Sequence, residues 1–164
     1  LGPCFLQLPP YFGIDRLPLL QSLIDVWPDE IPLAVEARHP SFYTDSEFKE
    51  YIGICREKKV IPLITDVAGR RDILHSSLSH GTVMIRWVGN GLHPTDYSRL
   101  NAWIDRINQW VKMGINEVYF FPHEPDNLLT PEISAYLVGK LKTIPGVNTR
   151  GPRLRDENKQ LSLL

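Results

Sequence analysis

The 164-residue chain has 43% hydrophobic residues, a formal net charge of −1 and a pI near 6.6, enough apolar material for one domain with a real core. That balance excludes a global basic field, so nucleic acid is not indicated as a partner unless a local patch supplies it. No segment approaches the ~18 consecutive apolar residues of a membrane span, and the N-terminus lacks a charged region followed by an apolar run, so the expectation is a cytoplasmic protein with no membrane partner.

Short apolar runs alternate with segments of helical period. "GPCFLQL" (2–8) reads as a strand, and Leu20, Leu23, Ile24 and Trp27 after it hold the spacing of one helix face, with Pro18 in that helix's first turn. "IPLAVEA" (31–37) is the second strand. Thr44 and Glu47 follow it at capping-box spacing, and Phe48, Tyr51, Ile52 and Cys55 make an apolar helix face. "VIPLIT" (60–65) is the third strand, followed by "DVAGRRDILHSSLSHG", too short and polar for more than a turn or two of helix. "TVMIRWV" (82–88) is the fourth. Thr95 then caps a helix whose stripe runs from Tyr97 to Val111, with Gly114 as its stop. "NEVYFF" (116–121) is the fifth, with Thr130 and Pro131 opening a last helix.

Continuous apolar strands, each followed by a helix-sized connection, indicate a parallel sheet covered on its faces, so the class is α/β. The first strand starts almost at residue 1, and five parallel strands fall short of the eight that close a barrel, which suggests that the front of the domain lies outside this chain. The domain is read as residues 1–144 and a polar tail as 145–164. Cys4 and Cys55 sit among apolar residues, which predicts buried structural thiols and no disulfide framework.

Every strand ends in polar chemistry, and in parallel α/β folds those carboxyl-terminal ends line the ligand site. Glu36 and Asp66 are the candidate acid/base or metal-ligating carboxylates, and His39 and His123 the candidate proton carriers or ligands. Gln7, Arg38, Arg86, Trp87 and Asn127 are the candidate substrate contacts, the arginines suiting phosphate or carboxylate. Against this stands the bland reading that strand ends meet water, with Glu36 and Arg38 a structural ion pair. The cofactor stays open, a divalent metal being one candidate. "HEPDN" (123–127) is not the zinc-protease motif, which needs two histidines on one helix turn. His75, His80 and His93 lie in connections and receive no role. No Gly-rich phosphate fingerprint, serine elbow or CxxC pair is present, which argues against nucleotide-dependent and thiol chemistry.

"LGPCFLQLPPYF", "AVEARHPSFY", a strand ending in Asp66, "TVMIRWVGN" and "EVYFFPHEPDN" resemble, in order and spacing, the C-terminal portion of the YecE-like family, the domain of unknown function number seventy-two. The resemblance runs from residue 1 to about residue 143, and the QLPP and VE-x-RHPS elements are its most specific features. It implies a TIM-type parallel β/α barrel of which this chain carries the last five βα units. Two departures stand out: the last strand reads "FFPHEPDN" where the family has an FNN-like ending, and the fourth ends "RWVGN" where histidine-glycine is common. The resemblance supplies no reaction, because the family's activity is not established. Two functional readings follow. One is an enzyme acting on a small polar or anionic compound; the other is a non-catalytic module that holds nucleic acid or a protein partner through the same rim, with Trp87, Arg70 and Arg71. A third expectation is that a truncated domain is inactive by itself.

Overall fold

A computed structural model describes residues 2–152; the polar tail expected from 145 onward lies outside the described residues from 153. Strands β1 (Cys4–Gln7), β2 (Leu33–Glu36) and β3 (Ile61–Pro62) pair in parallel, as do β4 (Ile64–Val67), β5 (Thr82–Val88) and β6 (Glu117–His123). A single residue, Leu63, separates β3 from β4. Pro62 has no N–H for the ladder, and the chain changes partner there: Leu63 N–H donates to Val35 O at 2.9 Å, and Ile64 then aligns with Ile85. Strand order therefore follows chain order throughout. The fold is mixed α/β with parallel sheets.

Helices α1 (Leu17–Asp25), α2 (Asp45–Glu57), α3 (Pro94–Lys112) and α4 (Thr130–Leu141) fill the connections, except that residues 68–81, between β4 and β5, form none. Leu17, Leu20 and Ile24 of α1, with Tyr51, Ile52 and Cys55 of α2, pack on Leu33 and Val35. Leu100, Trp103, Ile107 and Trp110 of α3, with Ile133 and Leu137 of α4, pack on Ile64, Val83, Ile85 and Trp87. The opposite face of the strands carries a smaller cluster of Ala34, Ile61, Leu63 and Met84, flanked by Tyr119. This second face is partly open, with Phe5 45% and Phe121 49% exposed.

Several local expectations change. Leu17, not the more exposed Leu23, completes the buried face of α1, because a 3-10 turn at Ile14–Arg16 precedes the helix and sets its phase. Helix α3 is capped by His93 rather than Thr95: the His93 imidazole accepts from Thr95 N–H at 3.3 Å, and Asp96 accepts in return from His93 N–H at 3.0 Å. Thr44 and Glu47 hydrogen-bond each other instead of the backbone of α2. Gly114, at φ +90°, ends α3 as its position predicts. Both cysteines are free; Cys55 is buried but Cys4 is exposed, because among the described residues β1 pairs with β2 alone. Burial pushes the Cys55 thiol up to about 12, so it stays protonated at neutral pH.

Candidate functional site

Side chains alternate between the two faces of a strand with a period of two, so the register decides which strand-end residues meet. Gln7 aligns with Glu36, and Thr65 with Arg86 and Phe121. All five share the face of Ala34, Leu63 and Met84, away from the helices. There Glu36 Oε1 accepts from Thr65 Oγ1 at 2.8 Å and from Arg86 Nη1 at 3.1 Å. Glu36 is fully buried, and its second oxygen, Oε2, has no partner among the described residues. A buried carboxylate oxygen left unpaired carries a desolvation cost of about 1–3 kcal/mol or more.

Asp66 and Trp87 align with each other but lie one residue further along and therefore on the helix side. The expected pairing of Glu36 with Asp66 does not form: their strand ends are out of phase, and Thr65 is the neighbour Glu36 meets. Asp66 is engaged through both oxygens instead. Its Oδ1 accepts from Arg99 Nη2 at 2.6 Å and Arg71 Nη1 at 2.5 Å, and its Oδ2 from Trp103 Nε1 at 2.6 Å. Trp87 is not an exposed stacking surface: it is wholly buried, with the Arg99 guanidinium 4.7 Å from its ring centre. The expected Glu36–Arg38 pair is also absent. Arg86 takes that carboxylate, and half-buried Arg38 makes no ion pair among the described residues.

His39 caps the 3-10 turn Pro40–Tyr43, its Nδ1 accepting from Ser41 N–H at 3.2 Å, while Ser41 Oγ accepts from Ile14 N–H at 2.9 Å. This ties the connection after β1 to the end of β2. The Tyr43 hydroxyl donates to Ala37 O at 2.7 Å, and burial, reinforced by the Glu36 charge, holds it protonated well above the usual tyrosine range. His123, on the same face as Arg86, is exposed at the end of β6; Gln7 and Asn127 are exposed as well.

Three residues that carry the rim were not among the expected site residues. Asp96 and Glu124 are fully buried, and they hold the 89–93 loop: Asp96 Oδ2 accepts from Asn90 N–H at 2.8 Å and Glu124 Oε2 from Gly91 N–H at 2.8 Å. Arg99 links the loop to β4, reaching Asp96 Oδ1 at 3.3 Å and Asp66 Oδ1 at 2.6 Å. Gly89 is required by this packing, because a Cβ there would run into the Glu124 carboxylate. The available signal was "HE" in "HEPDN" and an Asp in the first turn of a helix, neither of which specifies burial. His75 also has a role: its Nε2 faces Leu63 O at 3.2 Å and its ring packs on Phe48. Among the described residues, no three His, Cys, Asp or Glu side chains come together as a metal site. No helix among them is long and apolar enough to cross a membrane.

Comparison with known proteins agrees with this architecture. The family model described as protein of unknown function DUF72 matches residues 1–155. The UPF0759 protein YecE of Escherichia coli O157:H7 and that of strain K12 are each 28% identical to the chain over 167 residues, covering 90% of this chain and 61% of the relative. The chain thus spans about three fifths of the length of the curated relatives it matches. A crystal structure of a DUF72 family protein from Enterococcus faecalis V583 superposes with a TM-score of 0.67 at 12% identity, over 89% of this chain and 61% of that one. A second structure of that protein gives a TM-score of 0.59 at 16% identity, over 94% and 62%. With a family model covering nearly its whole length, the chain belongs to the DUF72 family.

Proposed function

We propose that these strands are the last five βα units of a parallel β/α barrel whose inner face, at the carboxyl ends of the strands, binds a small polar or anionic compound, with Glu36 as the acid/base group. The barrel reading is supported by parallel strands that neighbour one another in chain order, with the helices packed against one face, since a doubly wound sheet reverses its order partway. Glu36 Oε2 carries the functional reading: it is a buried carboxylate oxygen on the inner face with no partner among the described residues, while Oε1 is fixed by Thr65 and Arg86. A ligand hydroxyl or ammonium would satisfy Oε2, and a held carboxylate with one free oxygen is the geometry a general base needs. Arg38 and Arg86 supply positive charge for an anionic group on the same ligand, with His123, Gln7 and Asn127 at the rim. Asp66 acts in this reading as a positioning residue that holds Arg99 and, through it, the 89–93 loop.

A thermal-shift panel of sugar phosphates and hydroxy-dicarboxylates, followed by calorimetry of any hit, tests this reading. The expected result is a ligand whose affinity falls at least about tenfold in Glu36→Gln and in Arg86→Leu, the loss of one charge-assisted contact each. Unchanged affinity in both variants would end the proposal.

A further inference from the structure

The unfilled connection between β4 and β5 leaves a gap in the helix layer. Where the connections after β1, β2 and β5 carry a helix, residues 68–81 do not, and Arg56 of α2 reaches across to Leu78 O at 3.3 Å. Arg99, Ala102, Trp103 and Arg106 of α3 stand at i, i+3, i+4 and i+7, the face that would otherwise meet a neighbouring helix. This face instead lines a cavity of about 300 Å³, closed from the other side by Arg71 and His75 with Asp66 at its base. That volume lies at the small end of the range for ligand pockets. Every lining residue falls between Asp66 and Arg106, so the cavity is built from elements this chain contains.

The charges do not balance. Three guanidinium groups line the cavity, whereas Asp66 is its one lining carboxylate, with both oxygens already engaged by Arg99, Arg71 and the Trp103 indole; Asp96, outside the lining, is a second acidic partner of Arg99 alone. Arg106 makes no ion pair or side-chain hydrogen bond among the described residues, and Arg99 Nε is buried without a partner. Arg71 is 53% exposed and is one of two guanidiniums on a single oxygen, so it can turn away without orphaning Asp66. His75 adds no charge at neutral pH, because burial lowers it to about 4. Ala102 is small and leaves the Trp103 side of the cavity accessible.

We propose that this cavity is a second binding site, separate from the inner face, for a small dianion with a flat apolar part, in chemical terms an aryl phosphate. The phosphate is shared by Arg71 and Arg106, matching the forked donors that guanidinium offers to such groups, and the ring lies against Trp103. Titration of isotope-labelled protein with phenyl phosphate, followed through the Trp103 indole and Arg99 Nε N–H signals, tests it. The expected result is a saturating shift at millimolar concentration or below, weakened at least about tenfold in Arg106→Glu and in Ala102→Leu and unchanged in Glu36→Gln. Phenol and inorganic phosphate should each bind more weakly by a similar factor. No saturable shift up to about 10 mM, ten times the dissociation constant of a weak site, would overturn the proposal. So would unchanged affinity in both cavity variants, or binding of inorganic phosphate as tight as that of phenyl phosphate.

Discussion

Glu36 and Asp66 are both strand-end carboxylates, both no more than 2% exposed, yet one has a partner on a single oxygen and the other on both. Asp66 faces the helix layer, where Arg99 and Trp103 of α3 reach it; Glu36 faces away from the helices, where Thr65 and Arg86 are its partners among the described residues. Asp66, with both oxygens engaged by Arg99, Arg71 and the Trp103 indole, holds structure. Glu36 has one oxygen buried and free, an unfavourable state that a ligand would relieve; Glu124 Oε1 is buried and unpartnered as well, but its Oε2 holds the 89–93 loop. The difference follows from a shift of one residue along a pleated strand, which exchanges the faces.

Asp66→Ala should give the largest effect, because it leaves Arg99 with Asp96 as its one acidic partner and strands the Trp103 indole; urea unfolding should show a loss of about 3–5 kcal/mol, the range for breaking a buried ion pair. A loss below about 1 kcal/mol would remove Asp66 as an anchor and with it the contrast to Glu36.

Gly89→Ala should cost about 2–3 kcal/mol by overpacking against the buried Glu124 carboxylate, whereas Gly91→Ala, which meets open space at φ +72°, should cost about 1–2 kcal/mol from backbone strain alone. Equal losses in the two variants would mean that the Glu124 carboxylate yields easily and does not fix the loop.

His75 gives a pH test on the helix side. Its folded value of about 4 lies below the ordinary 6.5, so the unfolded chain binds the proton first; the stabilisation is fully present above about pH 6.5 and is lost as pH falls toward 4. The ring is half-buried, which discounts the effect to on the order of 2 kcal/mol. His75→Phe should flatten this part of the stability profile, and an unaltered slope would assign it to other groups.

Glu36→Gln should have the smallest effect on stability, under about 1.5 kcal/mol, because Arg86 is 34% exposed and can turn to water, and because the free oxygen was already costly. A loss as large as that of Asp66→Ala would make Glu36 a structural residue and sink the functional contrast.

Much of the architecture was legible in the chain. Continuous apolar runs marked the strand segments, although the run at 60–65 divides at Leu63 into β3 and β4, and the Leu100–Trp103–Ile107–Trp110 stripe identified α3, since helical period survives any context. The family, too, was legible in "QLPP" and "VEARHPS". Local chemistry also marked the polar strand ends, including Glu36 and Arg86, because charge in a strand terminus stands out against apolar neighbours. Tertiary structure alone decided which of those ends meet. Register is set by ladder pairing between segments some 20 to 30 residues apart, as in Gln7 opposite Glu36 and Thr65 opposite Arg86, and no local pattern records it. The burial of Glu124 over the 89–93 loop and the cavity beside Trp103 depend likewise on how loops and helices close over the strands, where side-chain partners come from distant parts of the chain.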